Sequence, residues 1–81
     1  MISCNSYDYI EIVCLFAYPV ELTLKSHEVI VGQAIDTAKN TAQEECIKLK
    51  IEDKYILVVL NSIHKLKVLV ENPHFKEQLL V

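Results

Sequence analysis

The spacing of apolar residues changes once along the chain, at Pro19. Before it, Ile10, Val13, Cys14 and Ala17 recur at three and four residues, the period of one helical face. Asn5 and Ser6 both suit an N-cap, and Asp8 follows Asn5 by three residues, a capping box with Asp where Glu is usual. Pro19 ends the pattern and pushes Tyr18 towards extended backbone. The pattern predicts a helix over about 6–17. From Val20 onward the period is two. Val20, Leu22 and Leu24 alternate with Glu21, Thr23 and Lys25, and further strands are predicted over 29–36, 44–51, 55–61 and 62–70. Ser26–Glu28 and Glu52–Lys54 serve as turns, and 37–43 as a polar connection. Gly32, midway along the second strand, predicts a bend or bulge where a side chain would obstruct closure. The unbroken apolar stretch from Tyr55 predicts a central strand buried on both sides. Pro73 breaks the fifth strand, and His74–Val81 is read as a short tail with one or two turns of helix.

A helix followed by five short strands predicts a mainly β (α+β) fold. The expected form is a small, strongly bent antiparallel barrel over about 20–71, capped by the helix, with 72–81 as a tail. Closing the barrel would also remove sheet edges, which no proline guards in this sequence.

Eighty-one residues suit one domain spanning 1–81, and 52% apolar with 23% charged residues is globular composition. Charged residues interrupt every apolar cluster too often for a membrane span, and the first residues lack the basic start and apolar run of a signal peptide. A cytoplasmic protein is expected. Cys4, Cys14 and Cys46 are odd in number and lack CxxC spacing, so they read as small hydrophobes and not as a disulfide framework. His27, His64 and His74 lie far apart and form no zinc pair with them, so no metal is expected. A net charge of −3 lacks the basic footprint of a nucleic-acid binder and favours a basic protein partner.

Catalytic signatures are missing. A single glycine rules out a phosphate-cradling loop, and there is no GxSxG elbow. Asp8 with Glu11, and Glu44 with Glu45, are carboxylate pairs, but acid–base work needs a pocket that drives their pKa values apart. A small barrel has little room for one, so the chain is expected to be no enzyme and to hold no cofactor.

Two segments carry a family likeness. In "ISCNSYDYIEIVC", Cys4 precedes the pair Tyr7–Asp8, Glu11 follows Asp8 by three residues, and Cys14 follows Glu11 by three. This resembles the N-terminal signature of the Rof (YaeO) family of Rho-specific antiterminators. "VELTLKSHEVIVGQAIDTAKN" looks like the opening of that family's barrel and is similar to the Sm motif, with Gly32, Asp36 and Asn40 after an alternating strand. The likeness extends to about Val70. It implies a helix packed on a five-stranded Sm-like barrel. It also implies that the chain binds the transcription terminator Rho at its RNA-engaging N-terminal region and keeps it from loading on RNA. Carried over to matching positions, the contacts would be Tyr7, Asp8 and Glu11 of the helix with Lys39 and Asn40 after the second strand. The chain departs from the family at Asn5, Ser6 and Tyr9, where members often carry acidic or small polar residues.

Helical geometry leads to the same surface. At 100° per residue, Ile10, Val13, Cys14 and Ala17 cover one arc, while Tyr7, Asp8, Glu11 and Leu15 cover the next. With the first arc buried, the second offers two carboxylates beside an aromatic ring and an aliphatic chain, the composition of an interface. The plain alternative makes Asp8 a cap, leaves Glu11 solvated and packs Tyr7 and Leu15 into the core; likewise Lys39–Asn40 is the make-up of an ordinary turn. The leading expectation is a monomeric, non-enzymatic inhibitor of Rho that touches neither nucleic acid nor membrane. Its competitors are an Sm-like RNA-binding module and an interaction domain for another basic protein.

Overall fold

The computed structural model describes residues 4–74 and 76–80, with side chains from residue 7 onward. It comprises α1 (Cys4–Leu15), β1 (Pro19–Leu24), β2 (Val29–Lys39), β3 (Glu45–Ile51), β4 (Lys54–Val59), a 3-10 turn (Leu60–Ser62), β5 (Ile63–Val68) and β6 (Glu77–Leu79). All strands pair antiparallel in one sheet of order β4-β3-β2-β1-β5-β6.

That order makes the sheet roll. β4 and β5 stand four places apart, roughly 19 Å across a flat sheet. Yet only the three residues Leu60–Ser62 join Val59 to Ile63, and a 3-10 turn of that length spans about 8 Å. The ends of β4 and β5 are therefore drawn together while the strands stay unpaired. The concave side holds Leu22, Ile47, Leu49, Ile63 and Leu66, all fully buried, and Ile10 and Val13 of α1 close over them.

Several expectations are corrected by this architecture. The sheet has six strands, not five, and is open with β4 and β6 at its edges, so the barrel does not close. The tail is no helix: Glu77–Leu79 pairs with β5, and Leu80 enters the core with its N–H donating to the His64 carbonyl at 2.9 Å. β4 is an edge strand and not a central one, because β5 pairs with β1 instead of β4. Its outward residues Tyr55 and Leu57 are consequently exposed. Finally, β2 continues through Thr37–Lys39, which pair with Glu45–Ile47. The bulge in β2 falls at Ile35, where the register against β3 shifts between Ala34 and Asp36. Gly32 serves another purpose. A Cβ there would lie 2.9 Å from Ile51 Cγ1 and 3.1 Å from the Lys50 carbonyl oxygen, so glycine lets β2 and β3 come close.

The helix begins at Cys4, so Asn5 and Ser6 lie within it and are not its caps, and Asp8 falls beyond the first turn. It stops at Leu15 through a Schellman arrangement: Tyr18 N–H donates to the Val13 carbonyl at 3.0 Å and Ala17 N–H to the Cys14 carbonyl at 3.2 Å. Ala17 takes the left-handed position at φ 52, where glycine is usual. Two bonds then fasten the helix end to β2, from Ala34 N–H to the Tyr18 carbonyl at 2.9 Å and from Gln33 Nε2 to the Ala17 carbonyl at 3.2 Å.

Candidate functional site

The helix has two fully buried positions, Ile10 and Val13, and Cys14 and Ala17 beside them are half-buried. Around the cylinder from that stripe, Asp8 and Glu11 are exposed, and Leu15 is 76% exposed. Tyr7 divides its surface, half-buried and packed against the core cluster. Among the described residues, neither Asp8 nor Glu11 has an ion-pair or hydrogen-bond partner. The ion pair present there joins Lys65 and Glu77 at 3.9 Å, on β5 and β6. The two helix carboxylates are thus exposed, with no cation paired to them among the described residues.

Cys14 reports what surrounds it. Its thiol is pushed up to about 11, first by burial and then by the negative charges of Asp36 and Glu11. Asp36 of β2 and Glu11 of the helix therefore both lie near the Cys14 thiol. Sequence alternation hides this, because only the bulge at Ile35 brings Asp36 onto the same face as Gln33. Across the strand pair Asp36 stands opposite Lys48, so its charge is partly balanced, whereas those of Asp8 and Glu11 are not.

A second feature missed in the sequence lies where the helix ends. Phe16, 49% exposed, stacks on both Tyr18 and His74, with ring centroids 5.4 Å and 5.0 Å away, and the three rings form a triangle because Tyr18 and His74 also meet at 6.5 Å. With Leu15 it makes an apolar end to the acidic strip. The adjacent pair Leu15–Phe16, falling outside the buried stripe, was the signal available for it.

Lys39 is exposed at the end of β2. Asn40 organises the loop that follows: its Oδ1 accepts the N–H groups of Ala42 at 2.9 Å and Glu44 at 3.0 Å, and its Nδ2 donates to Glu44 Oε1 at 3.1 Å. Its backbone completes the turn by donating to the Glu44 carbonyl and accepting from Gln43 N–H. The Asn40 side chain is thus occupied in shaping the loop that carries Lys39. The helix runs antiparallel to β2, since Ala17 meets Gln33 and Cys14 lies near Asp36. The earlier helical residues are thereby directed towards the Lys39–Asn40 end of the strand.

No group of three His, Cys, Asp or Glu side chains among the described residues is placed to hold a metal. No helix among them is long and apolar enough to cross a membrane.

The sequence model of the family described as "Modulator of Rho-dependent transcription termination (ROF)" matches residues 1–80. No curated protein matches the chain. Among solved structures, YaeO bound to magnesium from Vibrio cholerae O395 superposes with a TM-score of 0.86 at 44% identity, over 90% of this chain and 95% of that one. The likeness read from Cys4, Tyr7, Asp8, Glu11 and Cys14 is borne out: the chain belongs to the Rof family of modulators of Rho-dependent transcription termination.

Proposed function

We propose that the chain is a non-enzymatic inhibitor that binds Rho directly, at the N-terminal region where Rho engages RNA, and blocks RNA loading. The observation that carries this reading is the pair of solvated, unpartnered carboxylates Asp8 and Glu11, bordered by Leu15 and Phe16. A site built to hold RNA has Arg and Lys already positioned for anionic oxygens, and a carboxylate can take a bidentate pair from such an Arg. Tyr7 contributes its outer edge, Leu15 the apolar anchor, and Lys39 a contact from the β2–β3 loop. Asn40 acts through that loop by fixing its shape. The acids steer association and select the partner, and truncating one that becomes buried costs about 2–5 kcal/mol of binding. The family's role as a modulator of Rho-dependent transcription termination supports a regulatory protein that works where Rho works, in the cytoplasm.

Purified Rho should capture the chain, and single-stranded RNA should compete with it. Asp8→Lys with Glu11→Lys should abolish capture while the circular dichroism spectrum stays unchanged. Capture that survives this double charge reversal removes the helix acids from the mechanism. Salt-sensitive RNA binding by the chain without Rho would instead favour the RNA-module reading.

A further inference from the structure

The helix acids match only the phosphates of a single-stranded RNA. A protein site that grips such a strand combines cations for the phosphates with flat faces for the bases. At the end of the acidic strip this chain holds out a flat face of its own. Phe16 lies nearly parallel to two rings, 22° from Tyr18 and 26° from His74, yet about half of its surface stays open. Both supporting rings sit on pinned backbone. Tyr18 donates its N–H to the Val13 carbonyl, and its own carbonyl accepts the Ala34 N–H. His74 donates its N–H to Asn72 Oδ1 at 2.9 Å, within a loop closed by Val68 N–H on the Lys76 carbonyl at 2.7 Å. The Phe16 ring is therefore ordered before any partner arrives, which lowers the entropy lost on contact. Along the helix axis it lies five residues beyond Glu11, about 7.5 Å, so one partner site reaches both.

We infer that Phe16 is a base mimic: its open face takes an aromatic side chain of Rho that otherwise stacks on a base of the transcript. This deepens, and rests on, the reading of Rho's RNA-engaging region as the partner of Asp8 and Glu11. The surroundings select a ring as the occupant. His74 also lines a cleft of about 620 Å³ with Lys67, Lys76 and Glu71, two ammonium groups against one carboxylate. That positive excess disfavours a further Arg or Lys at this end and leaves the partner's cations to the helix acids. An aliphatic side chain would gain burial alone, whereas a ring gains stacking beyond its burial. Leu15 and Leu69, both exposed, supply apolar borders. The chain thus sets carboxylates where a strand has phosphates and a stacked ring where it has a base.

Isothermal titration calorimetry of the full chain into purified Rho, at low and at physiological salt, tests this. Phe16→Leu keeps apolar bulk but removes the ring, and should weaken binding about tenfold. Phe16→Trp keeps a stacking face and should bind at least as tightly as the original chain. His74→Leu takes away one support and should weaken binding by less than Phe16→Leu. The Phe16→Leu loss should persist at the higher salt. The loss from Asp8→Asn with Glu11→Gln should shrink there, because salt screens charge and not stacking. Unchanged binding by Phe16→Leu, or equal weakening by Phe16→Leu and Phe16→Trp, overturns the base mimic and leaves the acidic helix in place. Failure of the original chain to bind Rho, or binding indifferent to the acid substitutions, overturns the underlying reading and the base mimic with it.

Discussion

Gly32→Ala sets two effects against each other, and the structure decides between them. Gly32 is not in a left-handed conformation, so alanine brings no backbone strain and should recover the ~0.5–1 kcal/mol that glycine costs in a strand. Against this, its Cβ would meet Ile51 Cγ1 at 2.9 Å, the Lys50 carbonyl oxygen at 3.1 Å and Leu49 Cβ at 3.2 Å. The carbonyl belongs to the β3 ladder and Cγ1 to a branched side chain stiff at χ1, so neither yields without moving the strand. Overpacking of this kind costs about 1–3 kcal/mol, which exceeds the gain. The expected net loss is about 1–2 kcal/mol, or on the order of 4–15 °C in Tm for a domain of this size. Urea unfolding with an unchanged m-value measures it. Ile51→Ala removes the nearest atom, so the double variant should lose less than the sum of the two single variants. A Gly32→Ala protein as stable as the original, or more so, refutes the close approach as the reason for glycine.

Three further outcomes follow from the packing and the thiol. Ala17→Gly relieves the left-handed helix stop and should raise stability by about 0.5–1 kcal/mol in the same urea assay. Leu80→Ala takes a buried side chain from the core and should cost about 2–4 kcal/mol, which tests whether the strand after Pro73 is part of the fold. With Cys14 pushed up to about 11, its thiol stays protonated at neutral pH. Labelling in a Cys4→Ser, Cys46→Ala background should be slow at pH 8 and accelerate towards pH 11, and Asp36→Asn should hasten it by lowering the pKa. The same shift makes the folded state resist the thiolate, so its stabilising effect is complete below pH 9 and fades as pH rises through about 11.

The helix, β1, β3 and β5 were legible because each keeps one apolar face at a clear period. So was the exposure of Asp8, Glu11 and Leu15, which needs only 100° per residue and a buried Ile10–Val13 stripe. Alternation records which face is covered, however, and not which strand lies alongside. An unbroken apolar stretch such as Tyr55–Leu60 fits a strand covered on both faces or an edge strand with its outer face bare. Only the β1–β5 ladder settles that choice. Glu77–Leu79 is too short to show a period, and Leu80 is buried because β5 offers it a place. Asp36 was hidden for a related reason, since the single extra residue at Ile35 reverses the faces beyond it.

The position of β1 bears on how the chain acquires its fold. Its first neighbour, β2, follows directly and can zip up behind it as a hairpin. Its second arrives only with the pairing of Val20 to Val68, after β2, β3 and β4 have been made. A growing polypeptide can therefore assemble a four-strand meander early while one flank of β1 stays bare. Joining that flank is a long loop closure, and it should set the pace of folding on the slower, millisecond-to-second scale of non-local β pairing.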